Sequence, residues 1–202
     1  MTSKSVLLGA FALSLMASSA AMAGEFERKG TGPRGGSVEA SGQRGNGAAQ
    51  RTINRQGPYG GSSSKQSTYE NGTVNRGVQR TNRWGGSVNK SSSAEQGAYS
   101  SEKVREGARG GTLTRSTEAG DGQASSNVEY QAPNGETYSR TGTATHQVND
   151  DGTAETNVSR SGSAGGSYYR QTVRGDGQSN TNVEATTPGG QTIQHSGSTT
   201  VE

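Results

Sequence analysis

Isolated apolar residues stand among polar ones along most of the chain, and they recur at even intervals. From Gly24 onward, the segments between successive glycines consist largely of Ser, Thr, Asn, Gln and Val. Almost no run of residues favours a helix. Segments of β-branched and polar residues that are bounded by turn residues predict short β-strands. The pattern therefore predicts an all-β chain.

The apolar residues form a column when the strands are aligned on their turns. Two positions after this column several copies carry arginine, as at Arg55 and Arg80. Because side chains alternate between the two faces of a strand, the apolar and arginine columns share one face. We expect that face to be solvated, and the opposite face of Ser, Thr and Asn to be the better candidate for a tight interior. The predicted strand ladder consists of Ile53, Val78, Val104, Val128, Val158 and Val183.

Two glycine columns set a period of about 25 residues. The first column is a Gly-Gly or Asn-Gly step, and the second is Asn, Gln or Asp followed by glycine. Asn-Gly and Asp-Gly are strong hairpin signals, because both central residues of a type I′ turn need a positive φ. All four prolines lie two or three residues before the second glycine of the first column, where a turn needs no ladder donor. The predicted structural turns are at Gly36, Gly47, Gly61, Gly72, Gly86, Gly97, Gly111, Gly122, Gly135, Gly152, Gly166, Gly177 and Gly190.

This period predicts a repetitive strand-turn-strand array rather than one globular core. It favours a β-solenoid, in which equivalent strands stack, and the alternative is an antiparallel single-layer meander. Only 15 of residues 24–202 are Leu, Ile, Val or Phe, which is too few for a conventional apolar core. Disorder of the free monomer is therefore a third option.

The first 23 residues have the features of a secretory signal peptide. Lys4 supplies the positive charge, residues 6–16 the apolar stretch, and residues 21–23 an Ala-x-Ala cleavage site. We expect export through the inner membrane to the cell surface or the medium, with the periplasm as the alternative.

The rest of the chain divides into an N-terminal leader at 24–34 and a repeat region at 35–202. The repeat region holds about six copies and a C-terminal half-copy. The fifth copy carries extra residues at 143–149, which predict a loop insertion.

Charge is unevenly placed along the chain. Residues 24–111 carry 14 Lys or Arg and 7 Asp or Glu, whereas residues 112–202 carry 5 and 10. A basic first half could attract an acidic neighbour or an anionic polymer.

The architecture resembles that of curlin, the repeat subunit of bacterial curli fibres. The stretch nearest to the curlin pattern of Ser, then Gln-x-Gly-x-Gly-Asn-x-Ala, then Gln is SVEASGQRGNGAAQ at 37–50. It offers Ser37, Gln43, Gly45, Asn46, Gly47, Ala48, Ala49 and Gln50. Later copies keep the glycine turn but not the glutamine and alanine columns. The resemblance implies an extracellular, self-assembling cross-β fibre subunit that acts in adhesion or in a biofilm matrix.

Residues suited to catalysis are scarce. His146 and His195 have no acidic or nucleophilic partners in the sequence, so we expect no catalytic site, no cofactor and no metal. Calcium binding at the Asp-Gly turns is an alternative, but the period is wrong for a calcium-binding β-roll. The seven tyrosines and Trp84 fit cross-strand packing, or a surface that grips glycans or nucleic acid by stacking.

Together these features predict a non-enzymatic structural protein that polymerises with itself through exposed strand edges. Related fibre subunits or a nucleator are further candidate partners. The alternative is a periplasmic or surface module that binds an anionic polymer, polysaccharide or DNA, through its basic first half.

Overall fold

The computed structural model describes residues 24–200, which form one open sheet. Fourteen strands lie in the sheet in the order of the chain, and each pairs antiparallel with the next. The strands are β1 (Gly24–Thr31), β2 (Ser37–Gly45), β3 (Ala48–Gln56), β4 (Ser62–Glu70), β5 (Thr73–Thr81), β6 (Ser87–Glu95), β7 (Ala98–Glu106), β8 (Thr112–Gly120), β9 (Gln123–Gln131), β10 (Thr137–Val148), β11 (Ala154–Gly162), β12 (Ser167–Gly175), β13 (Gln178–Thr186) and β14 (Thr192–Thr200).

The predicted all-β, repetitive fold is confirmed, and of the two arrangements the structure has the single-layer meander. Each repeat is one hairpin unit of two strands. Equivalent strands of successive copies are therefore separated by an intervening strand rather than stacked on each other. The predicted signal peptide at 1–23 lies outside the described residues.

The second glycine column forms two-residue hairpin turns. In Asn46-Gly47 the φ angles are 50° and 75°, and in Asp121-Gly122 they are 50° and 73°. A positive φ at both central residues is the type I′ geometry, which matches the twist of the flanking strands. The second-column turn of the fifth copy differs, because in Asp151-Gly152 only Gly152 has a positive φ, of 81°, and the Asn149 N–H donates to the Thr153 carbonyl across a three-residue loop.

The first glycine column closes three-residue loops. In the first of them the Gly35 N–H donates to the Gly32 carbonyl at 3.0 Å, and the Gly32 N–H donates to the Gly36 carbonyl at 2.7 Å. Pro33 takes the second position of this turn, where its preset φ is favourable. The residue in the left-handed region is Gly35, with φ 83°, and Gly36 follows it as the residue that closes the loop. The same holds for Gly61, Gly86 and Gly166, which follow Gly60, Gly85 and Gly165.

Two segments expected outside the regular strands belong to the sheet. Residues 24–31 of the predicted leader are β1, which pairs along its whole length with β2. The extra residues of the fifth copy lengthen β10 to 12 residues instead of forming a loop. The longer strand shifts the alignment of equivalent residues on its two sides. On β9 the valine column residue Val128 lies opposite Arg140, whereas on β11 the equivalent Val158 lies opposite Ala144, four residues further along β10.

No apolar core exists within residues 24–200: none of their hydrophobic side chains is buried. Phe26 and Tyr69 remain 42% and 46% exposed. Order in this sheet comes from backbone ladders and from cross-strand contacts between side chains. Both faces are solvated, so the expectation of a tight interior on the Ser/Thr/Asn face is wrong.

Candidate functional site

The strand register assigns every strand side chain to one of two faces. Residues directly opposite each other in antiparallel strands point to the same side, and residues two apart along a strand do so too. Following the pairs from β1 to β14 gives one face that carries fifteen basic residues and no acidic residue, here called the cationic face. Its basic residues are Arg28, Arg44, Arg51, Arg55, Lys65, Arg76, Arg80, Lys90, Lys103, Arg105, Arg115, Arg140, Arg160, Arg170 and Arg174.

The opposite face, here called the acidic face, has the reverse charge. It carries every carboxylate of the described strands and a single basic residue, Lys29. The remaining positions are mostly Ser, Thr, Asn and Gln. Its acidic residues are Glu25, Glu27, Glu39, Glu70, Glu95, Glu102, Glu106, Glu118, Glu129, Glu155 and Glu184.

Lys29 makes two ion pairs. Its Nζ lies 2.6 Å from Glu27 and 3.1 Å from Glu39, which are both on the acidic face. The hydrogen bonds to Glu27 and then to Glu39 raise the pKa of Lys29 above its ordinary value. Among the described residues, none of the cationic-face side chains makes such a pair. Their charge is therefore available to a partner outside the chain.

The centre of the cationic face brings like charges together. Lys103 lies directly opposite Lys90 on one side and Arg115 on the other. Like charges at opposed positions destabilise a sheet. A binding partner with negative charge would relieve this repulsion.

The predicted ladder is divided by the register. Ile53, Val78 and Val128 lie in one cross-strand row of the cationic face, with basic residues of the intervening strands between them. Val158 and Val183 lie in a second row of the same face, because the longer β10 shifts the pairing. Val104 lies on the acidic face, since Lys103 takes the position that aligns with the row.

Most apolar and aromatic strand residues share the cationic face. Tyr130 and Tyr138 stack there with ring centroids 6.4 Å apart, and the Arg160 guanidinium lies 5.7 Å from the centroid of Tyr168. Such contacts support the cross-strand packing expected of the tyrosines. Trp84 is different, because it lies in a turn, 66% exposed, with the Arg83 guanidinium 4.2 Å from its ring centroid.

Hydrogen bonds between side chains link strands of the acidic face. The Glu155 carboxylate accepts from the amides of Asn157 and Gln171, each at 2.8 Å. These bonds, first that from Asn157, lower the pKa of Glu155 below its ordinary value. Hydroxyl pairs such as Thr141 with Ser161 add to the network. The polar residues of this face therefore bind one another more than the residues of the cationic face do.

A shallow depression of about 520 Å³ lies over β6 to β10. Its lining includes Ser93, Glu95, Ser100, Glu118 and Ser125, all on the acidic face. This depression brings the carboxylates of Glu95 and Glu118 into one polar surface.

The sheet has two free edges, β1 and β14. The edge strand β14 has no Lys, Arg, Asp or Glu. The Thr187 N–H donates to the Gln191 carbonyl at 2.8 Å, and in an antiparallel pair every second residue exchanges such bonds. Counting every second residue from Gln191, the N–H groups of Ile193, His195, Gly197 and Thr199 point to β13. Those of Thr192, Gln194, Ser196, Ser198 and Thr200 point outward.

Both histidines lie within strands, and their side chains are on the cationic face. His146 is in β10, not in a loop, and its Nδ1 is 3.1 Å from the hydroxyl of Thr156. His195 lies opposite Val183 in β14. Within residues 24–200 no group of three or more His, Asp or Glu is placed to hold a metal ion, and no helix is long and apolar enough to cross a membrane.

The segregation of carboxylates is the feature that sequence reasoning missed. The signal was present in the turn types, because loop length sets which residues oppose each other and hence which face each one takes. Comparisons with known proteins found no matching family model, no similar curated protein and no similar solved structure.

Proposed function

We propose that the chain is an exported, non-enzymatic structural protein whose copies join edge to edge into an extended sheet. Such a sheet would serve as a fibre or matrix subunit in surface adhesion or biofilm. The observation that carries the proposal is the uncharged edge strand β14, with its outward row of backbone donors and acceptors. Natural sheets that remain separate usually protect such an edge with charge, proline or a covering element. The curlin-like architecture of the chain supports the same function.

The strand count favours continuation of the sheet. With fourteen antiparallel strands, β1 and β14 run in opposite directions. A second copy in the same orientation can therefore add its β1 to β14 and keep the alternation. Both copies then present their cationic faces on the same side. Repeated addition gives an open polymer, because nothing in this geometry closes it into a ring.

Proline substitutions at the edge test this proposal. Ser196→Pro with Ser198→Pro removes two outward N–H donors and leaves the bonds between β13 and β14 in place. We expect this variant to fold and to lose filament growth. The measurement is thioflavin fluorescence with fibre diffraction at the strand spacing of about 4.8 Å, on protein recovered after export.

The matched control is Gly197→Pro, which removes an N–H that points to β13. It should loosen β14 and lower stability, as seen by circular dichroism. A wild-type chain that stays monomeric for days, or a Ser196→Pro, Ser198→Pro chain that polymerises as fast as wild type, would contradict edge pairing.

A second candidate function is binding of an anionic polymer, such as an acidic polysaccharide or DNA. The observation that favours it is the cationic face, whose basic residues are not limited to the first half of the chain. Co-sedimentation with dextran sulfate and with DNA over a salt series tests it, because ionic binding must weaken as salt rises. Binding that does not depend on salt would exclude it.

A further inference from the structure

We propose that the cationic face of one copy docks on the acidic face of a second copy, so that sheets stack in layers. This deepens the proposed assembly function, since edge pairing extends one layer and face docking joins layers. The partner surface is thus another part of the same chain.

Charge selects this pairing among the three ways in which two sheets can meet. Two cationic faces would oppose fifteen basic residues to fifteen others, and two acidic faces would oppose carboxylates. Only the docking of unlike faces brings opposite charges together. It also gives a stack that continues, because each layer leaves one face of each kind exposed.

The middle strands of the sheet carry opposite charge on their two faces. On β6 to β8 the cationic face carries Lys90, Lys103, Arg105 and Arg115. On the same three strands the acidic face carries Glu95, Glu102, Glu106 and Glu118. A copy placed directly above another therefore sets three strands that bear four carboxylates over three strands that bear four basic residues. This arrangement relieves the repulsion between Lys90, Lys103 and Arg115.

The area of the face favours a sheet over a linear polymer as the occupant. Fourteen strands about 4.8 Å apart, each about 30 Å long, make a face of about 2,000 Å². A stable protein interface needs about 800 Å² on each partner. The exposed apolar residues lie mainly on the cationic face, and a second sheet covers them across its whole area. A single polymer strand leaves most of them in water.

Charge reversal in the edge-blocked chain (Ser196→Pro, Ser198→Pro) tests docking apart from edge pairing. The first variant reverses the cationic centre with Lys90→Glu, Lys103→Glu and Arg115→Glu. The second reverses the acidic centre with Glu95→Lys, Glu102→Lys and Glu118→Lys. Sedimentation velocity measures association, and small-angle X-ray scattering measures the thickness, which is about 10 Å per layer.

The unreversed chain should form particles that are two or more layers thick, and salt should dissociate them. Each reversed variant alone should associate about a hundredfold more weakly, because strands β6 to β8 then carry like net charge on their two faces. A mixture of the two variants should restore association, since each new face meets a complementary one. The control is Arg34→Glu, Arg83→Glu and Arg109→Glu, which changes the same number of basic residues in turns and should leave association intact.

Particles one layer thick at every concentration would overturn docking, and so would reversed variants that associate as the unreversed chain does. Failure of the mixture to restore association would overturn it too. Layering that appears only when dextran sulfate is added would assign the cationic face to an anionic polymer instead. Since edge pairing is tested by filament growth in the chain with an intact edge, either proposal can fail while the other stands.

Discussion

Replacing Gly72 by alanine tests whether the two-residue turns hold a left-handed backbone. Gly72 has a φ of +83°, and a Cβ added there would meet nothing within 4 Å. The substitution therefore changes backbone energy and leaves packing unchanged. A left-handed conformation costs a non-glycine residue about 1–2 kcal/mol, and the lower entropy of the unfolded chain returns about 0.4–1 kcal/mol. The net expectation is a loss of about 1 kcal/mol.

Gly77 supplies the matched control in the same hairpin. It lies within β5, its φ is not in the positive region, and a Cβ there also meets nothing within 4 Å. Gly77→Ala should therefore stabilise the chain by about 0.4–1 kcal/mol. For a domain of this size, 1 kcal/mol moves the melting midpoint by about 2–4 °C, so the two midpoints should differ by about 5 °C.

Thermal circular dichroism of the two variants at low protein concentration measures the difference, with sedimentation confirming that both remain monomeric. Equal shifts in the same direction would refute the left-handed turn at Gly72. They would also remove the physical basis for the hairpin register, and with it the assignment of side chains to faces.

Three further outcomes follow from the structure. Hydrogen bonds lower the pKa of Glu155, so the stability that they give is complete above its ordinary pKa of 4.5. That stability is lost as the pH falls through the lower pKa of the folded state. Urea titrations should therefore show that Glu155→Gln loses less stability in acid than wild type does. A double-mutant cycle of Arg160→Ala and Tyr168→Ala should give a coupling free energy of about 0.5–1 kcal/mol, and no coupling would exclude the cation–π contact. N-terminal sequencing of exported protein should begin at Gly24, whereas an intact Met1 would contradict the predicted cleavage.

Several features of the fold could be predicted from single residues and their spacing. Asn-Gly and Asp-Gly steps identify the two-residue turns because few other residues adopt a positive φ. The period of two along a strand places Val78 and Arg80 on one face without knowledge of any partner strand. The sequence alone does not show whether the extra residues of the fifth copy form a loop or a strand, because polar residues such as Thr143 and Thr145 suit a loop as well as a solvated strand. Pairing with β9 and β11 on both sides settles them as part of β10.

The sequence by itself determined that this protein is a chain of short strands joined by glycine turns, with valine and arginine on a common face. These properties are local, since they depend on φ preferences and on the alternation of side chains along one strand. Only the tertiary structure decided that the strands form a single-layer meander, and that all carboxylates of the described strands fall on one side and nearly all basic residues on the other. The reason is that the face of a residue relative to distant strands depends on the register of every hairpin between them. The turn types fix that register only where each strand pairs with its neighbour in the chain, and the sequence left the stacked solenoid open as well.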